Sequence, residues 1–107
     1  MDTSMREPTF LILVALADAE RHGYGIIREV EELSEGRLKL GPGSLYGALD
    51  RLSEQNLIRS TRTEVVNGRL RRYYAINDAG RIAVREEATR RSAVLQAAES
   101  RLGLAST

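Results

Sequence analysis

The sequence contains no cysteine and a single histidine, His22. Disulfide bonds and thiolate metal sites are therefore excluded, and a histidine-rich metal cluster cannot form. We expect neither a metal ion nor another cofactor. The longest apolar run, residues 10–17, is far too short to span a membrane, and it lacks the basic start and the cleavage site of a signal peptide. A cytoplasmic protein that does not associate with membranes is therefore expected.

The shortage of cysteine and histidine also argues against an enzyme. A small enzyme needs a nucleophile with its base, paired carboxylates in a cleft, or a set of metal ligands. His22 could act as a general base, but the sequence offers it no evident partner, so a capping or packing role is the simpler interpretation. We predict no catalytic residue. A chain of 107 residues favours one domain with a modest core.

The net charge of +1 hides a segregation of charge along the chain. Residues 1–36 carry 3 basic and 8 acidic side chains, whereas residues 37–74 carry 8 basic and 3 acidic ones. Residues 75–107 are nearly balanced, with 5 basic and 4 acidic side chains. A basic middle third is typical of a surface that meets phosphate groups. Chance segregation on a solvated surface is the alternative.

Residues 42–52 predict a helix that approaches DNA. Pro42 is favoured in the first turn of a helix, and Leu45, Leu49 and Leu52 recur at the spacing of one buried stripe. Small residues at the helix start leave backbone N–H groups open to an anion. An ordinary core helix with a Pro-Gly start is the alternative. The residues off the stripe that we expect to meet DNA are Gly43, Ser44, Tyr46, Gly47 and Arg51.

An arginine-rich hairpin is predicted after this helix. Asn67-Gly68 is a strong hairpin signal, because a type I′ turn needs positive φ at both central residues. Arginine suits bidentate phosphate contacts, although a solvated edge ribbon is the alternative. Tyr73 and Tyr74 fall on opposite faces of their strand, so one is expected in the core and the other beside a neighbour. The hairpin arginines are Arg59, Arg62, Arg69, Arg71 and Arg72.

Two helices and a very short strand are predicted before residue 42. A first helix over residues 9–18 is apolar almost all round, so we expect it to pack against the core and a second subunit. A second helix over residues 22–34 should end at Gly36. Alternation in residues 37–40 predicts the short strand. After the third helix, Asn56 is expected in a left-handed conformation.

The C-terminal residues predict one long helix that pairs with a second copy of the chain. Over residues 79–102, apolar residues follow the alternating spacing of three and four that is typical of a coiled coil. A helix of this length finds little core to pack against in a small domain, although folding back on its own domain is the alternative. The residues expected at the dimer contact are Phe10, Leu13, Val84, Ala88, Arg91, Leu95, Ala98 and Leu102.

The predicted order of elements is that of a winged helix-turn-helix protein, in which the third helix reads DNA and the hairpin is the wing. The expected fold class is therefore mainly α with a small β-ribbon. We predict a winged helix-turn-helix DNA-binding domain over residues 1–77, followed by a dimerisation helix and tail over residues 78–107.

Three segments resemble the signature segments of the PadR family of bacterial transcriptional regulators. They are residues 22–26 (HGYGI), 40–52 (LGPGSLYGALDRL) and 68–80 (GRLRRYYAINDAG). The resemblance implies a homodimer, usually a repressor, that binds a near-palindromic operator in double-stranded DNA. It also implies a small-molecule effector in some members, and it matches the subgroup with a single C-terminal dimerisation helix.

The sequence departs from the family pattern at three points. Gly41 stands where the family usually has Ser or Thr, Asn56 stands where it usually has Gly, and Ile76-Asn77 replaces Leu-Thr. Asn77 can still cap a helix as Thr does. None of these changes removes a predicted DNA contact. Besides the residues of the third helix, we predict DNA contacts for Lys39, Arg69, Arg71 and Arg72. A winged-helix module that binds protein instead of DNA is the alternative.

Overall fold

The computed structural model describes residues 5–104 and has four helices and a three-stranded sheet within them. The predicted fold class, mainly α with a small β-ribbon in a winged helix-turn-helix arrangement, is confirmed. The strands pair antiparallel in the order β1-β3-β2. The elements are α1 (Glu7–Ala15), β1 (Arg21–His22), α2 (Gly23–Leu33), α3 (Pro42–Glu54), β2 (Ile58–Val66), β3 (Arg69–Ile76) and α4 (Asp78–Leu102).

One apolar core holds the first three helices against the base of the sheet. The leucine stripe predicted for α3 is buried, since Leu45, Leu49 and Leu52 are at most 1% exposed. Removing such side chains from water is the main stabilising contribution to folding. This burial leaves the opposite edge of α3 free for other contacts. The stripe packs with Ile12, Leu13 and Leu16 of α1, Ile26 and Val30 of α2, and Ile58, Tyr74 and Ile76 of the sheet.

Local sequence determines where the helices begin and end. Helix α3 begins at Pro42 after Gly41, whose lack of a side chain leaves this N-terminus without a side-chain cap. Asn56 follows α3 at φ +60°, the left-handed conformation predicted for it. The His22 Nδ1 accepts the Gly25 N–H at 3.2 Å, which confirms that His22 caps α2. The Asn77 Oδ1 caps α4 in the same way.

The short strand predicted over residues 37–40 is wrong. Those residues form an irregular connection, and β1 lies instead at Arg21–His22, where it pairs with Tyr73 and Tyr74 of β3. The buried hydroxyl of Ser34 accepts the Leu38 N–H at 2.9 Å, so this backbone group bonds to a side chain and not to a neighbouring strand. The alternation in residues 37–40 therefore reflects partial burial of Leu38 and Leu40 against the core.

The two halves of α4 lie in different surroundings. The first half packs on α1, where Glu87 is buried and accepts hydrogen bonds from Arg90, Arg91 and the Met5 N–H. The hydrogen bond from Arg90, followed by that from Arg91, lowers the pKa of the Glu87 carboxyl. Arg91 also covers the ring of Phe10 at 4.5 Å. The second half is exposed at residues 92–98 and 100–102.

This arrangement divides the residues that we predicted at a dimer contact. Leu13 is fully buried within the core of its own chain, so we leave it out of the dimer contact. Phe10 and Arg91 contact each other within the chain, and Val84 packs against the core. Ala88, Leu95, Ala98 and Leu102 are exposed. In residues 5–104, none of the helices is both long and apolar enough to cross a membrane.

Candidate nucleic-acid interface

A groove separates the hairpin from the N-terminal ends of α2 and α3. It has a volume of about 420 Å³ and brings together Tyr46 and the three hairpin arginines predicted to meet DNA. These residues come from elements that are distant in sequence, so the fold alone assembles them. The lining residues are His22, Gly23, Tyr24, Tyr46, Val66, Asn67, Arg69, Leu70, Arg71 and Arg72.

The position of Tyr46 depends on a glycine in α2. A Cβ atom at Gly23 would lie 2.5 Å from the Tyr46 Oη, which is closer than nonbonded atoms can approach. Gly23 therefore makes room for the phenol ring, which remains 47% exposed at the groove. The start of α2 is therefore closely packed against α3. This contact joins the second and third helices directly beside the candidate interface.

The exposed edge of α3 presents backbone N–H groups and the guanidinium of Arg51 to an approaching anion. Gly43 and Ser44 are exposed in its first turn, and a Cβ at Gly43 would meet no atom within 4 Å. A Cβ at Gly47 would lie 3.5 Å from the Arg51 Nη1, so the Arg51 guanidinium lies along this same edge. Lys39 is exposed in the connection that precedes the helix. An open helix N-terminus of this kind suits an anion.

The three arginines at the hairpin tip flank both faces of the wing. Arg69 and Arg71 share one face, because their partners Val66 and Glu64 lie two residues apart on β2. Arg72 pairs with Thr63 and lies on the opposite face. Among residues 5–104, none of these three guanidinium groups forms an ion pair. Their charge is therefore available to an external anion.

Strand β3 also presents unpaired backbone to the groove. Strand β1 pairs only with Tyr73 and Tyr74. On that side of the sheet, β3 has no strand partner over residues 69–72 within the described part of the chain. Backbone N–H groups at such an edge can donate to phosphate oxygens as side chains do.

His22 lies at the inner end of the groove as a neutral imidazole. Its Nδ1 can accept the Gly25 N–H only when that nitrogen carries no proton. Burial lowers the pKa of His22 from its usual 6.5, and the nearby charges of Arg71 and Arg28 lower it further. Proton uptake by His22 is therefore less favourable in the folded state than in the unfolded state. The resulting stabilisation is present above pH 6.5, and it is lost as the pH falls through the pKa that His22 has in the folded state.

We therefore expect the free energy of unfolding to decrease as the pH falls below 6.5. A His22→Asn variant keeps a capping side chain without a titrating group, so its profile should be flatter in this window. Denaturant unfolding at a series of pH values measures both curves. The pKa of Glu87 is lowered from an ordinary value of 4.5, so its effect on stability lies at a lower pH than that of His22. Parallel curves for the two proteins below pH 6.5 would contradict this assignment to His22.

Two large, exposed side chains at the groove are among the lining residues that our sequence analysis missed. Tyr24 is 67% exposed and lines the groove beside Tyr46, and Leu70 is 66% exposed on the hairpin. The signal for Tyr24 was present, because it lies between two glycines and off the apolar face formed by Ile26 and Val30. No signal marked Leu70, since an apolar residue in an alternating strand is expected to be buried.

A three-helix core with an arginine-rich wing beside an open third helix defines a winged helix-turn-helix protein. Residues 12–86 match the model of the transcriptional regulator PadR-like family. The chain belongs to this family, as the resemblance of its three signature segments implied. The expectation of a regulator and not an enzyme agrees with membership in a family of transcriptional regulators.

Two relatives align with most of this sequence. The transcriptional regulator Rv3488 of Mycobacterium tuberculosis is 41% identical over 76 residues, which cover 71% of this chain and 67% of that protein. A 37.1 kDa protein in transposon TN4556 of Streptomyces fradiae is 45% identical over 78 residues, which cover 73% of this chain. The matched part is only 21% of the Streptomyces protein, so the chain spans about a fifth of its length.

A solved structure with the same fold was determined on DNA. It is Bacillus subtilis PadR in complex with operator DNA, which superimposes with a TM-score of 0.66 at 22% identity. The alignment covers 76% of this chain and 46% of that chain. At this level of identity, the similarity establishes a shared fold.

Proposed function

We propose that the protein is a sequence-specific DNA-binding regulator that represses transcription from a near-palindromic operator as a homodimer in the cytoplasm. The observation that carries this proposal is the groove, in which Tyr46 of α3 lies beside three hairpin arginines without ion pairs. A cationic hairpin next to an open helix N-terminus matches the charge of a duplex backbone. The operator complex of Bacillus subtilis PadR, which has the same fold, supports the proposal.

Different elements would make different kinds of contact. The N–H groups of Gly43 and Ser44 would bind phosphate, and the close approach is possible because both residues are small and exposed. Tyr46 and the surface at Gly47 would reach phosphate or a base edge in the major groove. Lys39 and Arg51 would add phosphate contacts on either side. The wing arginines, Arg69, Arg71 and Arg72, would bind the phosphate backbone beside the helix.

A second copy of the chain would cover the second half of α4. Val94, Leu95 and Leu102 are between 59% and 71% exposed there, which is unfavourable for a helix that stays in water. A concave part of the same helix is lined mainly by small residues, including Ala88 and Ala93, so another helix could approach closely. We therefore keep α4 as the dimerisation element and the wing domain before it as the DNA-binding unit.

The finer part of the proposal concerns regulation. A dimer on its operator would block access of the transcription machinery, which is why we propose repression. Release by a small-molecule effector is implied by the family resemblance. Such a ligand would act by changing the contact between α1 and α4, where Arg91 covers Phe10, because that contact connects the DNA-binding domain to the dimerisation helix.

Selection of bound sequences from a random DNA pool at physiological salt tests the proposal. We expect a near-palindromic sequence with half-sites centred about 10 bp apart, because a two-fold dimer presents its reading helices one helical turn apart. Sedimentation should give twice the mass of the chain. A Leu95→Glu, Leu102→Glu double variant should sediment as a monomer and lose the paired half-sites. A pool that shows no enrichment even at low salt would instead favour a module that binds protein.

A further inference from the structure

Arg62 lies at a bend in the hairpin. The register of β2 and β3 shifts between Ser60 and Arg62, so Thr61 is the extra residue of a β-bulge. Below the bulge, the sheet packs on the core through Ile58 and Ile76. Above it lies the hairpin tip, which carries Arg69, Arg71 and Arg72. A bulge bends its strand and increases the local twist, so the direction of the tip is decided at this point.

The side chain of Arg62 ties the tip to the helical part of the domain. Its Nε donates to the Glu20 Oε1 at 2.7 Å, and its Nη1 donates to the Glu64 Oε2 at 3.1 Å. Glu20 lies in the connection between α1 and α2, whereas Glu64 lies on the hairpin itself. The guanidinium also stacks on the ring of Tyr73, 3.7 Å from its centroid. Arg62 therefore spans the bend from one side to the other.

The contacts continue from Arg62 to the helix that we propose reads DNA. The Tyr73 hydroxyl donates to the Glu64 Oε1 at 3.1 Å, and the His22 ring meets the Tyr73 ring edge-on at 5.3 Å. His22 caps α2, and the next residue, Gly23, is the one against which the Tyr46 hydroxyl lies. Side-chain contacts thus connect the bend of the wing to His22, and the backbone step from His22 to Gly23 completes the connection to Tyr46.

The surroundings of Arg62 do not suit a phosphate contact. Two carboxylates already neutralise the guanidinium, and both of its bonded nitrogens face them. A phosphate would have to displace a carboxylate and would be repelled by the other one. Arg69, Arg71 and Arg72 differ from it, because they form no ion pair among residues 5–104. The sequence pattern does not separate these two kinds of arginine.

We infer that Arg62 is a positioning residue, which holds the wing at a fixed angle to α3 through Glu20, Glu64 and Tyr73 and does not itself contact DNA. The inference rests on the proposed function for its effect on DNA binding. Its effect on the order of the wing is independent of that function. All three charged groups are more than a third exposed, so the network orders the hairpin tip without contributing much to the stability of the core.

Amide hydrogen exchange of the free protein tests the effect on the wing. In an Arg62→Met variant, the amides of residues 62–73 should exchange roughly tenfold faster than in the wild type, because the ion pairs and the cation–π contact are lost together. Arg59→Met is the matched control, since it removes the same charge from the same strand below the bulge. Amides in α1–α3 should exchange at wild-type rates in both variants. Equal exchange of residues 62–73 in the two variants would overturn the inference.

The salt dependence of operator binding tests the distinction between positioning and contact. Arg62→Met should weaken binding roughly tenfold with an unchanged salt slope, whereas loss of a phosphate contact lowers the slope by about 0.9.

A Glu20→Gln variant tests the direction of the change in affinity, because removal of a negative charge by itself strengthens attraction to DNA. The positioning role predicts weaker binding instead. A slope reduced by about 0.9 in Arg62→Met, or tighter binding by Glu20→Gln, would overturn the inference. A wild type that binds no DNA would refute the proposed function, and the exchange data would still decide the role of Arg62.

Discussion

Operator binding is expected to weaken roughly a hundredfold at 0.15 M salt when Arg69, Arg71 and Arg72 are all replaced by alanine. Each guanidinium that neutralises one phosphate adds about 0.9 to the slope of log affinity against log salt concentration, so the slope should fall by about 2.7. The expectation follows from two observations: all three arginines line one groove with Tyr46, and none forms an ion pair within the described residues. Fluorescence anisotropy at a series of salt concentrations measures both quantities.

A single variant of one wing arginine and a control substitution of another hairpin arginine complete this experiment. Arg72→Ala should weaken binding to operator and to unrelated DNA by similar factors, because a phosphate contact carries no sequence information. Arg59→Ala removes the same charge at the base of the hairpin and should leave the slope close to that of the wild type. If the triple variant kept the wild-type slope, the wing would have to be removed from the proposed DNA contact.

Replacement of Gly80 with alanine is expected to lower the free energy of unfolding by about 3 kcal/mol. A Cβ at this position would overlap the carbonyl oxygen of Leu57 and would lie 2.6 Å from the Ile76 Cγ1. The helix cannot easily move away, because the Asn77 N–H donates to this same carbonyl at 3.1 Å. The Asn77 side chain also donates to the Asn56 carbonyl at 2.7 Å. Thermal unfolding should show a melting temperature lower by roughly 10–15 °C.

Gly43→Ala is the matched control for this substitution. A Cβ at Gly43 would meet no atom within 4 Å, and alanine is a better helix former than glycine by up to about 1 kcal/mol. This variant should therefore melt at or above the wild-type temperature. A Gly80→Ala protein that melted with the wild type would mean that the start of α4 can shift away from the base of the wing.

Most element types and several of their ends could be predicted because their causes are local. The hairpin turn follows from Asn67 and Gly68, which adopt φ of +52° and +77°. The start of α3 follows from Pro42, and its buried face follows from the spacing of its leucines. Strand β1 could not be predicted, since its two residues become a strand only by pairing with Tyr73 and Tyr74, about fifty positions later. The irregular course of residues 37–40 depends on the buried hydroxyl of Ser34, which no pattern in those residues reveals.

The candidate interface divides in a similar way. Its helix and its arginines were named from the sequence, because charge and small residues at a helix start have a direct chemical meaning. Tyr24 has a sequence signal, its place between two glycines, but only the fold brings the starts of α2 and α3 together at the groove. Leu13, by contrast, was predicted from the sequence at a contact surface, and the fold removes it from that surface. An apolar residue on an apolar helix can face the core or a partner, and only packing places it fully inside the chain.

The sequence by itself determined the order of the four helices and the hairpin, the buried stripe of α3 and the family, because each depends on residues close together in the chain. Only the tertiary structure decided which arginines remain available to DNA. Arg62 and Arg72 look alike in the sequence, but a carboxylate 42 positions away binds Arg62. Electrostatic interactions depend on distance in space. The same chemical group is therefore a structural tie at one position of the wing and an available cation at another.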